Sequence, residues 1–525
     1  MPGRLLPALS IALCGAAAAQ SSRPNIIFLL TDDQRWNTLG AMGDTIIRTP
    51  EIDALSKAGV TFDNAFATTA ICFASRSTIF SGQHVIRNGF TDFSSVFTPA
   101  ALDRTYPLLL RKAGYQTGFI GKWGLGDPLP TASFDNWYGF SGQGDYEIKA
   151  NGVVVQHLTP LMGDQAIDFL GKTSPTKPFC LSISFKAPHI QDGDPRQFIP
   201  DSADMGLYTQ AVFAPPPNSD PAFFAALPAF LRDTNSELRK RWELEYKTPA
   251  MYQESMKNYY RLISGADHVV GRIRKKLAEM GADKNTVIVF SGDHGMFIGD
   301  RGYAGKWLAY DPAIRVPLIV FDPRFPASAK GTRRSEMVLN LDIPETILGF
   351  AGVPVPASMQ GRDMSGLIDG RAKAWRTEFF YQHVAVPFAA PPSEALVGNR
   401  YKYIVYTTAN PAYAELYDVK TDPHESVNLI ANAKYKTILD SLKLRFDALR
   451  ASSAKDDSIA ERTAPVSGPS ALAGRAPWGR SLDSRADQNT HQNTHQNTQV
   501  DARGRAVPGG SKGGMAPLFR GSGRD

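Results

Sequence analysis

Four short, largely apolar runs, each followed by charged or polar residues, constrain the fold of this chain more than any other feature of its sequence. The runs are NIIFLL (25–30), GYQTGFI (114–120), PFCLSISF (178–185) and TVIVF (286–290). Runs that are apolar on both faces are typical of strands in a parallel sheet covered by helices. Helix-like stretches lie between the runs, at 49–59, 106–114 and 258–281. This alternation predicts an α/β fold with a large, mostly parallel sheet flanked by helices.

The residues that follow these runs carry reactive side chains. Asp32 and Asp33 follow the first run, Lys122 the second, His189 the third, and Asp293 and His294 the fourth. In open α/β sheets, ligands bind beyond the carboxyl ends of the strands, so we expect these side chains to meet at one edge. Taken alone, an acidic pair after a strand is equally typical of a turn or a helix cap. Convergence of all four segments favours a functional site.

Three carboxylates with one well-placed histidine indicate the kind of ligand. Calcium accepts roughly 6–8 mostly oxygen ligands, whereas zinc would require more histidine or cysteine. Lys122 and Lys306 lie in glycine-flanked loops, and we interpret these strongly hydrated point charges as clamps for an anion. The sequence therefore predicts a Ca²⁺ site within a basic shell that suits sulfate or phosphate.

One of the three cysteines lies in an unusual setting. Cys180 falls within the third apolar run, where a small buried hydrophobic residue is expected. Cys72 belongs to the segment CFASRSTIFSG, which also contains Ser75 and Arg76. A lone cysteine most often has a structural role, but this polar setting argues against burial of Cys72 in a core. Loss of Cys14 by processing would leave two cysteines, which make no disulfide framework.

The two ends of the chain differ from the rest. Residues 1–20 carry Arg4, an apolar stretch at 5–13 and a small-residue zone at 16–19, which predicts a cleaved signal peptide and a secreted or periplasmic protein. Leu13 before Cys14 is not the small residue that a lipid-anchor site prefers. No later run reaches the roughly 18 apolar residues of a membrane-spanning helix. Residues 453–525 include QNTHQNTHQNTQ and have few large apolar side chains, so we predict a disordered low-complexity tail.

The pattern of charge along the chain argues against a nucleic-acid partner. The net charge is +6, but no basic stripe with interleaved aromatic residues runs along the sequence. Such a stripe is the usual footprint of nucleic-acid binding, so we predict no nucleic-acid partner.

Taken in order along the chain, the motifs resemble those of one family. CFASRSTIFSG resembles the signature of the type I sulfatases of the alkaline phosphatase superfamily, Cys-x-Pro/Ala-Ser-Arg followed by four residues and Thr-Gly, with Ser81 in place of the threonine. PNIIFLLTDDQRW and VIVFSGDHG resemble the metal-binding segments of that family. GYQTGFIGKWGLG, SFKAPH and GKWLAYDPAIRVPLIV resemble its lysine and histidine loops, and NRYKYIVY and ELYDVKTDPHESVNLI its C-terminal subdomain.

The resemblance implies a domain organisation and a role for each site residue. It implies a catalytic domain at 23–370 and a small C-terminal α+β subdomain at 371–452. A maturation enzyme would oxidise Cys72 to formylglycine, whose hydrate attacks sulfur and then expels sulfate by collapsing to the aldehyde. Arg76 would hold the hydrate, Lys122 and Lys306 would clamp the sulfate, and His189 would aid departure of the alcohol. The implied Ca²⁺ ligands are Asp32, Asp33, Asp293, His294 and the modified Cys72.

One position departs from the family pattern. Many relatives have histidine two residues after the first lysine, where this chain has Gly124. This puts the usual partner of the hydrate in doubt, and Asp293 is a candidate to take more of the base role.

The resemblance predicts hydrolysis of a sulfate ester, with a sulfated glycan as the expected substrate. Two alternatives remain open at this point. One is a phosphonate or phosphate ester hydrolase that uses the same formylglycine. The other is an inactive protein that only binds sulfated glycans.

Overall fold

The central feature is a mixed sheet with almost uniform strand direction. The computed structural model describes residues 23–372, 374–383, 386 and 389–455. Within them, eight strands form the sheet in the order β12-β2-β11-β8-β1-β7-β3-β4, and β11 alone runs opposite to the others. The predicted large, mostly parallel sheet is confirmed.

The strands of the described residues are β1 (Asn25–Thr31), β2 (Val60–Phe66), β3 (Gln116–Lys122), β4 (Asn136–Phe140), β5 (Glu147–Ala150), β6 (Val153–His157), β7 (Phe179–Ser184), β8 (Thr286–Gly292), β9 (Phe297–Ile298), β10 (Ala304–Gly305), β11 (Arg315–Phe321), β12 (Thr332–Leu339), β13 (Glu378–His383), β14 (Ser393–Gly398), β15 (Tyr401–Tyr406) and β16 (Tyr413–Asp418). The helices are α1 (Pro50–Ala58), α2 (Cys72–Ser81), α3 (Val85–Asn88), α4 (Pro99–Leu102), α5 (Tyr106–Lys112), α6 (Leu158–Gly171), α7 (Pro221–Ala225), α8 (Glu237–Glu245), α9 (Pro249–Glu279), α10 (Asp311–Ile314), α11 (Asp342–Ala351), α12 (Ser365–Ile368) and α13 (Lys436–Ala454).

The four apolar runs form the centre of the sheet. They correspond to β1, β3, β7 and β8, which lie side by side and parallel in the order β8-β1-β7-β3. Alternate residues of β1 enter different cores: Ile26 and Phe28 pack on one face, Ile27 and Leu29 on the other. Since both faces are covered, the strand needs apolar side chains at nearly every position. The three helix-like stretches correspond to α1, α5 and the carboxyl-terminal part of α9.

A second, antiparallel sheet follows the first in the chain. Its strand order is β13-β14-β15-β16, and Leu442 and Phe446 of α13 pack against it. The Tyr381 hydroxyl of β13 donates to the Trp307 carbonyl at 2.6 Å, and the Gln382 amide donates to the Thr68 carbonyl at 3.0 Å. This C-terminal sheet therefore braces the loops that carry Lys306 and Cys72.

The predictions for the chain ends fall largely outside the described residues. The signal peptide proposed at 1–20 lies outside them, as does the tail from 456 onward. Helix α13 extends to Ala454, so Ser453 and Ala454, which we assigned to the tail, belong to that helix. No helix of the described residues is both long and apolar enough to cross a membrane.

Candidate active site

The carboxyl ends of the four central strands place the reactive residues at one edge of the sheet. β1 ends immediately before Asp32, β8 immediately before Asp293, and β3 ends at Lys122. The Asp293 amide donates to the Thr31 carbonyl at 2.9 Å and the Asp32 amide to the Ala187 carbonyl at 3.1 Å. The loops after β1, β7 and β8 are thus joined by backbone hydrogen bonds, which makes the edge a rigid platform.

Cys72 is buried, contrary to our expectation. It is the first residue of α2 and only 2% exposed. Its Sγ lies 3.0 Å from the Lys306 Nζ and 3.6 Å from an Asp32 carboxylate oxygen. The polar segment around Cys72 predicted exposure because polar side chains usually face solvent, but here they face other charged groups. The amino end of α2 also favours negative charge at this position.

Arg76 connects the carboxylates of two strands. It lies four residues after Cys72, on the same face of α2. Its guanidinium is fully buried and donates to Asp293 Oδ2 at 3.1 Å and to Asp32 Oδ2 at 3.0 Å. A further nitrogen donates to the Lys122 carbonyl at 2.8 Å and to the Ser184 hydroxyl. The planar fork of arginine suits this role, since it holds several acceptors in fixed directions.

Each of the two predicted lysines pairs with one of the aspartates that follow β1. Lys306 directly follows β10, and its Nζ donates to Asp33 Oδ1 at 2.7 Å. The Lys122 ammonium donates to the Asp32 carboxylate and to the Gln143 side-chain carbonyl. Burial raises the pKa of Asp32, but Lys122, His189 and Arg76 lower it more, so it lies well below its ordinary value. Asp32 is therefore ionised throughout the physiological range.

The same charges change the ionisation of Cys72. Burial and the Asp32 carboxylate raise the pKa of the Cys72 thiol, while Lys122, Lys306 and His189 lower it. The lowering effects are larger, and the pKa lies well below its usual value. The lowered pKa favours the thiolate of an unmodified Cys72, which is the reactive form of cysteine.

The donor atoms around Cys72 fit a hard divalent cation. One ligand atom from each of Asp32, Cys72, Asp293 and His294 lies within 4.8 Å of the others, and Asp32, Asp33 and His189 form an overlapping group. Among the described residues, Asp33 Oδ2 and His294 Nε2 are buried with no hydrogen-bond partner. Such atoms are costly unless a ligand satisfies them. Carboxylate oxygens with one imidazole nitrogen are suitable Ca²⁺ ligands.

His294 has the tautomer that such a site needs. Its Nδ1 lies 3.0 Å from the Gly295 carbonyl, which can only accept a hydrogen bond. The Nδ1 therefore donates, and the Nε2 lone pair is available to a cation. Burial lowers the pKa of His294, but Asp293 and Asp33 raise it to about 9. A bound cation would take the place of that extra proton.

The structure explains why residue 124 is a glycine. Its φ is 73°, and a Cβ at this position would lie 2.8 Å from Arg76 Cδ. A histidine here would require Arg76 to shift, so the glycine is needed for the buried position of Arg76.

The pKa of Asp293, the candidate base, is also shifted. Burial and Asp32 raise the pKa of Asp293, while His294 and Arg76 lower it, and the result is about 6.

The structure brings all the predicted site residues together and adds others. Further side chains at this edge are Gln143, Ser184, Lys186, Asp192 and Arg241. Gln143 and Lys186 lie in segments near the recognised motifs, so their positions offered a signal. Arg241 lies in α8, whose sequence ELRKRWELE is typical of a solvent-exposed helix. Nothing in that pattern indicated its burial.

Comparison with known proteins identifies the family. A family model described as "Sulfatase" matches residues 24–353. The chain belongs to the sulfatase family. A second family model, "N-sulphoglucosamine sulphohydrolase, C-terminal", matches residues 299–452 of this sulfatase. The type I sulfatase resemblance is thereby confirmed, and the enzyme is a sulfuric ester hydrolase.

Three relatives illustrate the range of similarity. An N-acetylglucosamine-6-O-sulfatase from Bacteroides thetaiotaomicron is 31% identical over 82% of this chain and 87% of its own. A solved structure titled as a complex with its substrate D-glucosamine-2-N,6-O-disulfate is 28% identical, with a TM-score of 0.70 over 83% of this chain and 99% of the other. A phosphonate monoester hydrolase of Agrobacterium radiobacter is 22% identical, with a TM-score of 0.67 over 82% and 96% of the two chains, and shows the shared fold alone.

Proposed function

We propose that this sulfatase removes sulfate from a sulfated sugar, using formylglycine made from Cys72 together with a bound Ca²⁺. The observation that carries the proposal is the position of Cys72, whose Sγ lies between the Lys306 Nζ and the Asp32 carboxylate at the amino end of α2. A residue at this position contacts both a buried cation and a candidate metal ligand.

The ligands proposed for Ca²⁺ are Asp32, Asp33, Asp293, His294 and the modified Cys72. Bound there, the cation would supply positive charge to a sulfate oxygen. The formylglycine hydrate would supply a nucleophilic oxygen and a second hydroxyl that permits release of the sulfate. A maturation enzyme that oxidises Cys72 is therefore a required partner. Export through cleavage of residues 1–20 is part of the same proposal.

The chain's own residues bind the anion and move the proton. Lys122 and Lys306 lie where they can donate to sulfate oxygens as charge builds on the leaving group. Arg76 fixes Asp32 and Asp293 and so keeps the platform in place. The His189 Nδ1 lies 2.7 Å from the Ile190 carbonyl and must donate to it. The Nε2, 3.5 Å from Asp33 Oδ2, is then the atom that, when the ring is the doubly protonated imidazolium, can pass a proton to the departing alcohol oxygen.

The sugar part of the proposal rests on relatives. One is named an N-acetylglucosamine-6-O-sulfatase, another an ulvan-active sulfatase from Formosa agariphila that is 27% identical over 82% of this chain and 81% of its own. Different sugars among relatives mean that the common element is a sulfated carbohydrate. The competing proposal is a phosphonate or phosphate ester hydrolase with the same nucleophile.

The test combines chemistry of Cys72 with a substrate panel. Protein produced with the maturation enzyme should yield a Cys72 peptide with the mass and hydrazide reactivity of an aldehyde. It should release sulfate from at least one member of a panel of monosulfated monosaccharides, including N-acetylglucosamine 6-sulfate, and cleave an aryl sulfate faster than an aryl phosphonate. Full activity with Cys72 present entirely as a thiol would overturn the mechanism. Faster cleavage of the phosphonate would favour the competing function.

A further inference from the structure

Three ionisable side chains, Asp192, Arg241 and Glu245, have no part in the chemistry above. Asp192 follows His189 by three residues, and Arg241 and Glu245 lie one turn apart on α8. Arg241 is 5% exposed and Glu245 fully buried. Arg241 Nη2 lies 3.1 Å from Asp192 Oδ1, so the pair joins α8 to the loop after β7.

These side chains have polar atoms without partners. Within the described residues, Asp192 Oδ2, Arg241 Nη1 and both carboxyl oxygens of Glu245 are buried and make no hydrogen bond. Burial raises the pKa of Glu245 to about 8 despite the nearby Arg241, so its carboxyl is mostly neutral at pH 7. Leaving a buried polar atom unpaired is costly. An ion pair that only joined α8 to the loop after β7 would not need to leave two buried polar atoms without hydrogen bonds.

Arg241 is packed directly against the segment that holds Lys306. A Cβ at Gly305, the residue before Lys306, would lie 3.4 Å from Arg241 Cδ. The Arg241 guanidinium lies 5.5 Å from the centre of the Trp307 ring, on the other side of Lys306. The side chains of Arg241 and Asp192 are 6% and 11% exposed, against 4% for Lys306, which the proposed function places against the sulfate. The pair therefore borders the sulfate-binding lysine.

We propose that Asp192 and Arg241 recognise the sugar that carries the sulfate. Asp192 Oδ2 accepts a hydrogen bond from a ring hydroxyl, and Arg241 Nη1 donates to a neighbouring oxygen of the same sugar. A carboxylate–guanidinium pair, which has no net charge, suits vicinal hydroxyls, since it offers an acceptor and a donor side by side. This inference rests on the proposed function and concerns the sugar, whereas Lys122, Lys306 and Cys72 act on the sulfate.

The test uses two substrates with the same reacting group. The matured enzyme and its variants are assayed with the monosulfated monosaccharide that the wild type cleaves fastest and with 4-nitrophenyl sulfate, which has no ring hydroxyls of a sugar. Arg241→Met and the isosteric Asp192→Asn should each lower kcat/KM for the sugar sulfate by roughly 10- to 100-fold. The value for the aryl sulfate should change by only about threefold or less. Lys240→Met, an exposed neighbour on α8, should leave both values near those of the wild type.

Each other outcome overturns the inference. Equal losses of kcat/KM on both substrates would show that the pair contacts the sulfate or supports the site. A lowered melting temperature without a difference between the two substrates would show that the pair only stabilises the fold. Unchanged sugar turnover in both variants would exclude a role in recognition. If the wild type cleaves the aryl sulfate but no sugar of the panel, sugar recognition fails while sulfatase chemistry stands. If it cleaves neither although Cys72 is an aldehyde, the proposed function fails with it.

Discussion

Cys72 and Cys180 are the two cysteines of the described residues, and both are buried. Cys180 is the second residue of β7, beside Ile26 of β1 and Thr117 of β3, and it belongs to an apolar core. Burial raises the pKa of its thiol to about 12. Cys72 is buried to a similar degree. Lys122 and Lys306 nevertheless hold the pKa of its thiol well below the usual value.

The difference shows that burial alone does not determine what a cysteine does. At Cys180 the absence of water stabilises the neutral thiol because no charge compensates for its loss. At Cys72 the absence of water strengthens the attraction of Lys122 and Lys306, since charges interact more strongly away from solvent. The first setting is a packing position, and the second is one where an anion is stabilised. Substitution should separate the two.

The largest expected effect is on catalysis. Cys72→Ala should lower turnover of an aryl sulfate by on the order of 10³-fold or more, because the precursor of the nucleophile is lost. Cys180→Ala should retain turnover within about threefold and lose about 1 kcal/mol of unfolding free energy, because a small cavity forms in the apolar core that Cys180 helps to fill. Turnover is measured on matured protein, and stability by calorimetry.

The two variants serve as controls for each other. Each removes one buried sulfur atom, so a general effect of cavity formation would appear in both. A comparable loss of turnover in Cys180→Ala would contradict the comparison, as would an active Cys72→Ala enzyme.

The second prediction concerns the cation that Cys72 is proposed to share. Added Ca²⁺ should raise the melting temperature of the wild type, and chelation should lower it, because a ligand that binds only the folded state stabilises it by about 2.7 kcal/mol at 100 times Kd. Asp293→Asn should abolish most of this shift and lower turnover roughly 100-fold. Calorimetry with and without Ca²⁺ provides the measurement.

A buried aspartate far from the proposed ligands is the matched control. Asp342 is fully buried and pairs with Arg376, whose Nη2 lies 2.7 Å from its Oδ1. Asp342→Asn should be less stable than the wild type but should keep the full response to Ca²⁺. A zinc-dependent shift in the wild type, with none from Ca²⁺, would contradict the proposed ligand set.

The comparison also explains what could be predicted from sequence. β1 and β8 were recognisable because strands covered on both faces need apolar residues at every position, and the abrupt change at Asp32 and Asp293 marked their ends. The reversed direction of β11 was not recognisable, since an apolar strand has the same pattern in either direction. Burial of Cys72 was missed because it depends on Lys122 and Lys306, which are distant in the chain. Arg241 was missed because its helix has the composition of an exposed one.

The third prediction tests the charges around Cys72 in protein made without maturation. Cys72 should react with iodoacetamide at lower pH than an ordinary thiol, because its lowered pKa favours the thiolate. Lys306→Met removes the cation 3.0 Å from Sγ and should shift this pH profile upward. Cys180, followed by mass spectrometry of its own peptide, should remain unmodified throughout. Identical profiles for the wild type and Lys306→Met would contradict the assigned cause.

The smallest expected effect is on the pH dependence of stability, and the two cysteines lose their contributions at opposite ends of the pH range. The folded pKa of Cys180, about 12, exceeds the ordinary value of 9.0. Its contribution to stability is therefore complete below about pH 9 and is lost as pH rises towards 12, because only the unfolded chain releases the proton. The difference in unfolding free energy between the wild type and Cys180→Ala should thus narrow between about pH 9 and pH 11.

For unmatured Cys72, whose folded pKa is lowered, the contribution to stability is complete above about pH 9 and is lost as pH falls. Its gap to Cys72→Ala should not narrow in that alkaline range. Urea unfolding of the three unmatured proteins at a series of pH values measures both gaps, and a Cys180 gap that stays constant to pH 11 would show that its thiol is not held neutral by burial.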